Sequence, residues 1–111
     1  MITILVSFLW SPGYVAVGCY REKQDREIDS LEEKDSILND SYNSRENPIA
    51  KCAVAAMRKG YSIFAVQDGG LCAAGVSALQ KFDKYGKSTN CEVDGTGGPG
   101  AINVYLMKGK V

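Results

Sequence analysis

Histidine is absent from this 111-residue chain. Its absence removes the commonest general base and every Ser-His or Cys-His nucleophile arrangement. No Cys-x-x-Cys pair exists either, and four scattered thiols do not make the closed tetrahedral cage of a structural zinc site. Net charge is nil, with 13 basic and 13 acidic residues. A basic stripe of the kind that tracks a phosphate backbone is therefore missing, which argues against a nucleic-acid partner. The longest apolar run, residues 1–10 (MITILVSFLW), is half the length of about 20 residues that a membrane-spanning helix needs. No membrane span is expected, and no metal or other cofactor.

The cysteines that are present, Cys19, Cys52, Cys72 and Cys91, are even in number and spaced by 33, 20 and 19 residues. That pattern reads as a disulfide framework in an oxidising compartment, suited to a domain too small to bury a large core. Four cysteines allow three pairings, which the sequence leaves open. The expected one is Cys52–Cys72 with Cys19–Cys91, because a helix and the strand after it should pack together. Residues 1–13 read as a signal peptide, whole or partial, since the apolar run has the length of a leader's core. No Lys or Arg precedes it, and a buried N-terminal strand is the alternative. The mature domain is then 14–111, secreted and extracellular.

The middle of the chain carries the clearest pattern. Residues 47–60 read as the main helix: Asn47 to cap it, Pro48 at the first turn, Gly60 at the exit. Ile49, Cys52, Ala53, Ala56 and Met57 make its apolar stripe. Residues 61–67 follow as a strand with both faces buried, and the turn Asp68-Gly69-Gly70 leads to Cys72. Residues 14–20 (YVAVGCY) read as a first strand with Val15, Val17 and Cys19 on one face, and 102–107 as a last strand pairing with it. A second helix is expected over 76–85, with Val76, Leu79 and Phe82 spaced by three. The fold class is α+β: a small, disulfide-stapled, loop-rich domain with one main helix packed on a short antiparallel sheet.

Between strand and helix lies a long polar segment, 21–45, pinned by Ile28, Leu31, Ile37 and Leu38, with a short helix expected near 31–35. Its carboxylates lack the DxDxDG spacing of a calcium loop. Asn39-Asp40-Ser41 is a glycosylation acceptor triplet, so Asn39 is a candidate glycan attachment site. Residues 95–100 match GxGxxG, but a cysteine-containing loop precedes them and a strand follows. The strand-then-helix setting of a dinucleotide site is therefore missing. Asp68, Asp83 and Asp94 are the carboxylates available for acid–base work. With no evident deep cleft, no enzymatic activity is expected.

Binding is the remaining class. Tyr20, Gln67, Asp68, Gly70, Asp83, Tyr85, Lys87 and Asn90 bring aromatic faces together with amide, carboxylate and ammonium groups near Cys72 and Cys91. Sugar sites combine such groups, with aromatics against C–H faces and polar side chains on the hydroxyls.

Taken together, Gly18-Cys19-Tyr20, Lys51-Cys52, Gly60-Tyr61…Phe64-Ala65…Gln67…Gly70…Cys72…Gly75 and Cys91…Gly97-Gly98…Val104-Tyr105 resemble the WSC domain. The resemblance covers about residues 14–107. It implies a small extracellular cystine module, related in shape to PAN/apple domains, that binds carbohydrate. Tyr20, Gln67 and the turn at 68–70 match its motif, whereas Asp83, Tyr85, Lys87 and Asn90 rest on their chemistry alone. Cys72-Ala73-Ala74-Gly75 stands where the family has Cys-x-Cys-Gly. The expected function is a lectin-like module whose partners are extracellular glycans or glycoproteins. The alternative is a PAN/apple-like adhesion or matrix module that binds protein and has no sugar site.

Overall fold

The computed structural model describes residues 13–23 and 28–108. The expected leader therefore lies outside the described residues except for Gly13, whose carbonyl accepts the Lys108 N–H at 3.0 Å. In chain order the elements are β1 (Tyr14–Arg21), single 3₁₀ turns at Ser36–Leu38 and Tyr42–Ser44, and α1 (Pro48–Lys59). β2 (Ile63–Gln67), β3 (Leu71–Ala74), α2 (Ala78–Lys81) and β4 (Ala101–Met107) follow. The fold is α+β, with four strands in the order β1-β4-β2-β3 and every neighbouring pair antiparallel. First and last strands pair as the sequence implied, Tyr20 opposite Ile102 and Arg21 opposite Ala101.

Both faces of the sheet are covered, which is why β2 is buried at every residue. On one face α1 lays Cys52, Ala53 and Ala56 against Phe64, Val66, Cys72 and Tyr105. Alanines let the helix axis approach closely, and the aromatics fill the space: Phe64 stacks on Tyr105 at 5.2 Å, and Tyr14 meets both edge-on at 5.6 Å. On the other face Ile63, Ala65, Ile102 and Val104 pack with Tyr20, Ile28 and Ala78. Both expected disulfides are present, Cys52–Cys72 from helix to β3 and Cys19–Cys91 from β1 to the loop before β4.

Several local expectations are corrected. Asn47 occupies the position before α1 but makes no side-chain cap; its backbone is left-handed (φ 52°). A residue before proline is pushed out of the right-handed region, and asparagine tolerates the left-handed one. Gly60 does end the helix left-handed at φ 78°. Met57 is on the exposed side rather than in the stripe. The helix expected over 76–85 is one turn, and its buried residue is Ala78. Val76 is 87% exposed and Leu79 49%. A β-bulge between Ala16 and Gly18 interrupts the alternation of β1, so Val15 and Val17 share no buried face.

Beyond the expected turn at 68–70, Leu71–Ala74 forms a strand, β3, for which the sequence pattern carries no expectation. Asp68 (φ 54°) and Gly69 (φ 87°) are the left-handed pair that hairpin turns favour, and the Asp-Gly dipeptide was its signal. No helix forms at 31–35. Instead Leu31 donates its N–H to the Cys72 carbonyl at 2.8 Å, and Ala74 donates to Asp29 at 2.9 Å. The long segment thus lies along the open edge of β3, sheltering it from edge-to-edge pairing. Ile28, Leu31 and Leu38 anchor it, each nearly inaccessible.

Candidate functional site

Antiparallel pairing brings the end of β1, the start of β4, the end of β2 and the start of β3 to one end of the sheet. The segment 86–88 is drawn in alongside β1. Arg21 N–H donates to Gly86 at 2.9 Å, Ser88 N–H to Cys19 at 3.1 Å, and Arg21 Nε to the Lys87 carbonyl at 3.0 Å. The Cys19–Cys91 bond holds the next stretch to the same strand. Beyond it, the glycine-rich loop before β4 is wedged between neighbours. A Cβ on Gly97 would come within 2.7 Å of Gln67 Cα, and one on Gly98 would collide with the Asn90 carbonyl. Tyr105 Oη donates to the Gly95 carbonyl at 2.6 Å, and Gly97 N–H to Asn103 Oδ1 at 2.7 Å. The GxGxxG match is therefore a packed connection leading into a strand.

Three of the eight candidate residues are structural here. Tyr20 is 8% exposed, with its ring edge-on to Phe82 at 5.0 Å, so it presents no face for stacking a sugar. Gln67 is likewise buried at the end of β2. Gly70 lies under the long segment: a Cβ there would collide with the Tyr42 carbonyl, and its own carbonyl accepts Arg45 Nη1 at 2.8 Å.

Asp68, Asp83, Lys87 and Asn90 are exposed and Tyr85 is half-buried, all on loops at this end of the sheet. Tyr85 has the Lys23 ammonium 4.6 Å from its ring centroid and that of Lys84 at 5.4 Å. Asp68 belongs to the β2–β3 turn, the others to the connection between α2 and β4. Lys23 and Lys84 were missed by sequence reasoning. Their signal was the density of cations in 81–87 (KFDKYGK), set beside Arg21 and Lys23.

Two cavities lie elsewhere. One of about 640 Å³ runs along the long segment, lined by Glu32, Glu33, Asp35, Asn39, Asp40 and Tyr42. Three of its four carboxylates are engaged: Glu32 and Asp40 pair with Arg45, Asp40 also with Lys51, and Asp35 with Arg58, while Glu33 is exposed. Asn39 is exposed on its rim. The other, about 390 Å³, opens at the start of α1 beside Tyr14, Asn47 and Thr96. None of the eight candidate residues lines either cavity, and the exposed ones sit on loops at this end of the sheet. No helix among the described residues is long and apolar enough to cross a membrane. No protein-family model matches the chain, and no curated protein is significantly similar to it.

Proposed function

We propose that this chain is an extracellular carbohydrate-binding module, a divergent relative of the WSC domain, that takes its glycan at the β1/β4 end of the sheet. The supporting observation is the gathering of Asp83, Tyr85, Lys87 and Asn90 on one connection that Cys19–Cys91 and the β1 hydrogen bonds tie to the sheet. Function concentrates on loops held by a rigid scaffold, and a fixed set of polar side chains suits sugar hydroxyls. Two disulfides are consistent with an oxidising, extracellular setting.

A glycan array probed with the folded protein tests this reading. Binding weakened by Asp83→Ala, Lys87→Ala and Asn90→Ala, each with unchanged stability, supports it. A silent array favours a protein-binding module of PAN/apple type. For that second reading the favouring observation is at the opposite end of the sheet. There Val15 and Leu106 stand directly across from each other, 45% and 37% exposed.

A further inference from the structure

Asn39-Asp40-Ser41 is the single N-x-S/T triplet in the chain, and the proposed function makes no use of it. Its three side chains are placed unequally. Asp40 is held by Arg45 and Lys51, and Ser41 Oγ donates to Asn43 Oδ1 at 2.6 Å. Asn39 caps the C-terminal end of the 3₁₀ turn Ser36–Leu38 and is exposed. Its side-chain amide takes part in no hydrogen bond among the described residues. A sugar on Nδ2 therefore breaks no contact of the fold. The backbone on either side is fixed, since the Leu38 and Asp40 carbonyls accept Arg45 Nη2 at 3.2 and 3.0 Å. Asn39 also lies on the rim of the 640 Å³ groove, whose lining includes Ser30, Glu33, Ser36, Tyr42 and Leu71. Glu33 and Ser36 are exposed there, and the half-buried Tyr42, unlike Tyr20, pairs with no other ring among the described residues.

We infer that Asn39 carries an N-linked glycan whose first sugars lie along this groove. The inference rests on the extracellular part of the reading above and is independent of the ligand proposed there. The donor is a lipid diphosphate-linked oligosaccharide of the secretory pathway. Asn39 Nδ2 loses one proton and bonds to the anomeric carbon, the bond from that carbon to the diphosphate oxygen breaks, and the lipid diphosphate leaves. Once attached, the sugar needs little affinity of its own, because the link makes its contact with the groove intramolecular, at an effective concentration in the millimolar range. Ser36 and Glu33 are placed for its hydroxyls and Tyr42 for a C–H face. A neutral sugar core suits the charge here, since Arg45, Lys51 and Arg58 already balance Glu32, Asp40 and Asp35. The long segment follows β3 and the 83–91 connection follows β1, the two outer strands of the sheet. Attached glycan and proposed ligand thus occupy opposite edges.

The test is secretion of the full chain from a eukaryotic host behind an added signal sequence, with the glycan located by peptide mass before and after digestion by a peptide N-glycanase. Occupancy of Asn39 is expected, retained in Ser41→Thr and lost in Asn39→Gln, with near-UV circular dichroism the same for all three. Hydrogen exchange over 36–42 should be slower in the glycosylated parent than in Asn39→Gln by roughly three-fold, the size of effect a weak tethered contact gives. Tyr42→Ala should keep the glycan and lose most of that slowing. An unmodified Asn39 in secreted protein with both disulfides formed would overturn the inference while leaving the extracellular reading in place. An occupied Asn39 with exchange equal to that of Asn39→Gln would overturn the seating in the groove. Stable native folding of the chain with all four thiols reduced would remove the extracellular reading and the inference together.

Discussion

Arg45 holds Glu32 with both arms of its guanidinium, Nη1 to Oε2 at 2.8 Å and Nη2 to Oε1 at 2.7 Å, and Glu32 Oε2 also accepts the Cys72 N–H at 2.9 Å. Nε binds Asp40, and the Leu38, Asp40 and Gly70 carbonyls take the rest of its donors. The Arg45 side chain is wholly inaccessible, and the Glu32 pairing chiefly raises its pKa further, so it is permanently charged. One residue thus fastens the long polar segment to the edge of β3 and to the turn beyond β2.

Removing one partner of a buried ion pair strands the others, at a cost of about 3–5 kcal/mol. Arg45→Ala is therefore expected to lower stability by that amount in urea unfolding. Glu32→Gln keeps an acceptor for Cys72 and part of the arginine fork, and should lose about 1–3 kcal/mol. Equal, small losses for both would mean that the segment is held by Ile28, Leu31 and Leu38 instead.

What the sequence made legible follows from how local each signal is. The Pro48 start, the Gly60 exit and the Ala/Cys stripe of α1 are written within 14 residues, and the structure keeps them. The pairing of Cys52 with Cys72 follows from helix and strand lying next to each other in sequence and space. Tyr20 was misjudged because a tyrosine beside a cystine looks the same whether its ring faces Phe82 or solvent; only packing decides. The long segment looked like loop because its order comes from Arg45, whose partners lie 5 to 25 residues away. The cations of 81–87 are visible in the sequence, but that Arg21 meets the Lys87 carbonyl and Lys23 the Tyr85 ring follows only from the docking of this segment beside β1.

Tyr105 fastens the glycine-rich loop from beneath. Its hydroxyl pKa is raised above the usual 10.0, first by burial and then by Tyr14 and Asp94, so it remains a donor to Gly95 well into alkali. Tyr105→Phe keeps the ring stack on Phe64 and should cost about 1 kcal/mol, the worth of one hydrogen bond. Gly97→Ala should cost more, because its φ of 78° is left-handed and its new methyl meets Gln67 and Ala101 backbone atoms. Denaturant midpoints for the two variants decide the order, and a harmless Gly97→Ala would show that the loop is not wedged there.

The two disulfides should part company under limiting reductant. Cys52 and Cys72 are fully buried, whereas Cys19 and Cys91 are half-exposed and accessible to a thiolate. Alkylation mapped by peptide mass should therefore appear at Cys19 and Cys91 first. Loop closure alone ranks the bonds the other way in stability, about 4 kcal/mol for the separation of 72 and about 3 kcal/mol for 20. Burying two hydroxyls adds about 1–3 kcal/mol each to Cys52→Ser/Cys72→Ser, which makes that pair the costlier loss. Cys19→Ser/Cys91→Ser should retain the helix signal and lose the glycan binding proposed above, because the connection over 83–91 is then held to β1 by hydrogen bonds, without a covalent tie.

Acid should loosen the long segment before the sheet. The Asp40 carboxyl is held below its ordinary 3.8, chiefly by the hydrogen bond from Arg45 against some opposing desolvation, with Lys51 adding to the shift. A carboxyl with a folded value below its unfolded one binds fewer protons in the native state. Its stabilisation is thus complete above the unfolded value, near pH 4, and is lost as pH falls through the folded value. Urea midpoints for the parent should therefore drop between pH 5 and pH 3, and Asp40→Asn should start lower and drop less over that interval. Parallel curves for the two proteins would assign the acid response to other carboxyls and leave Asp40 as a surface contact of Arg45 with no part in the fold's pH dependence.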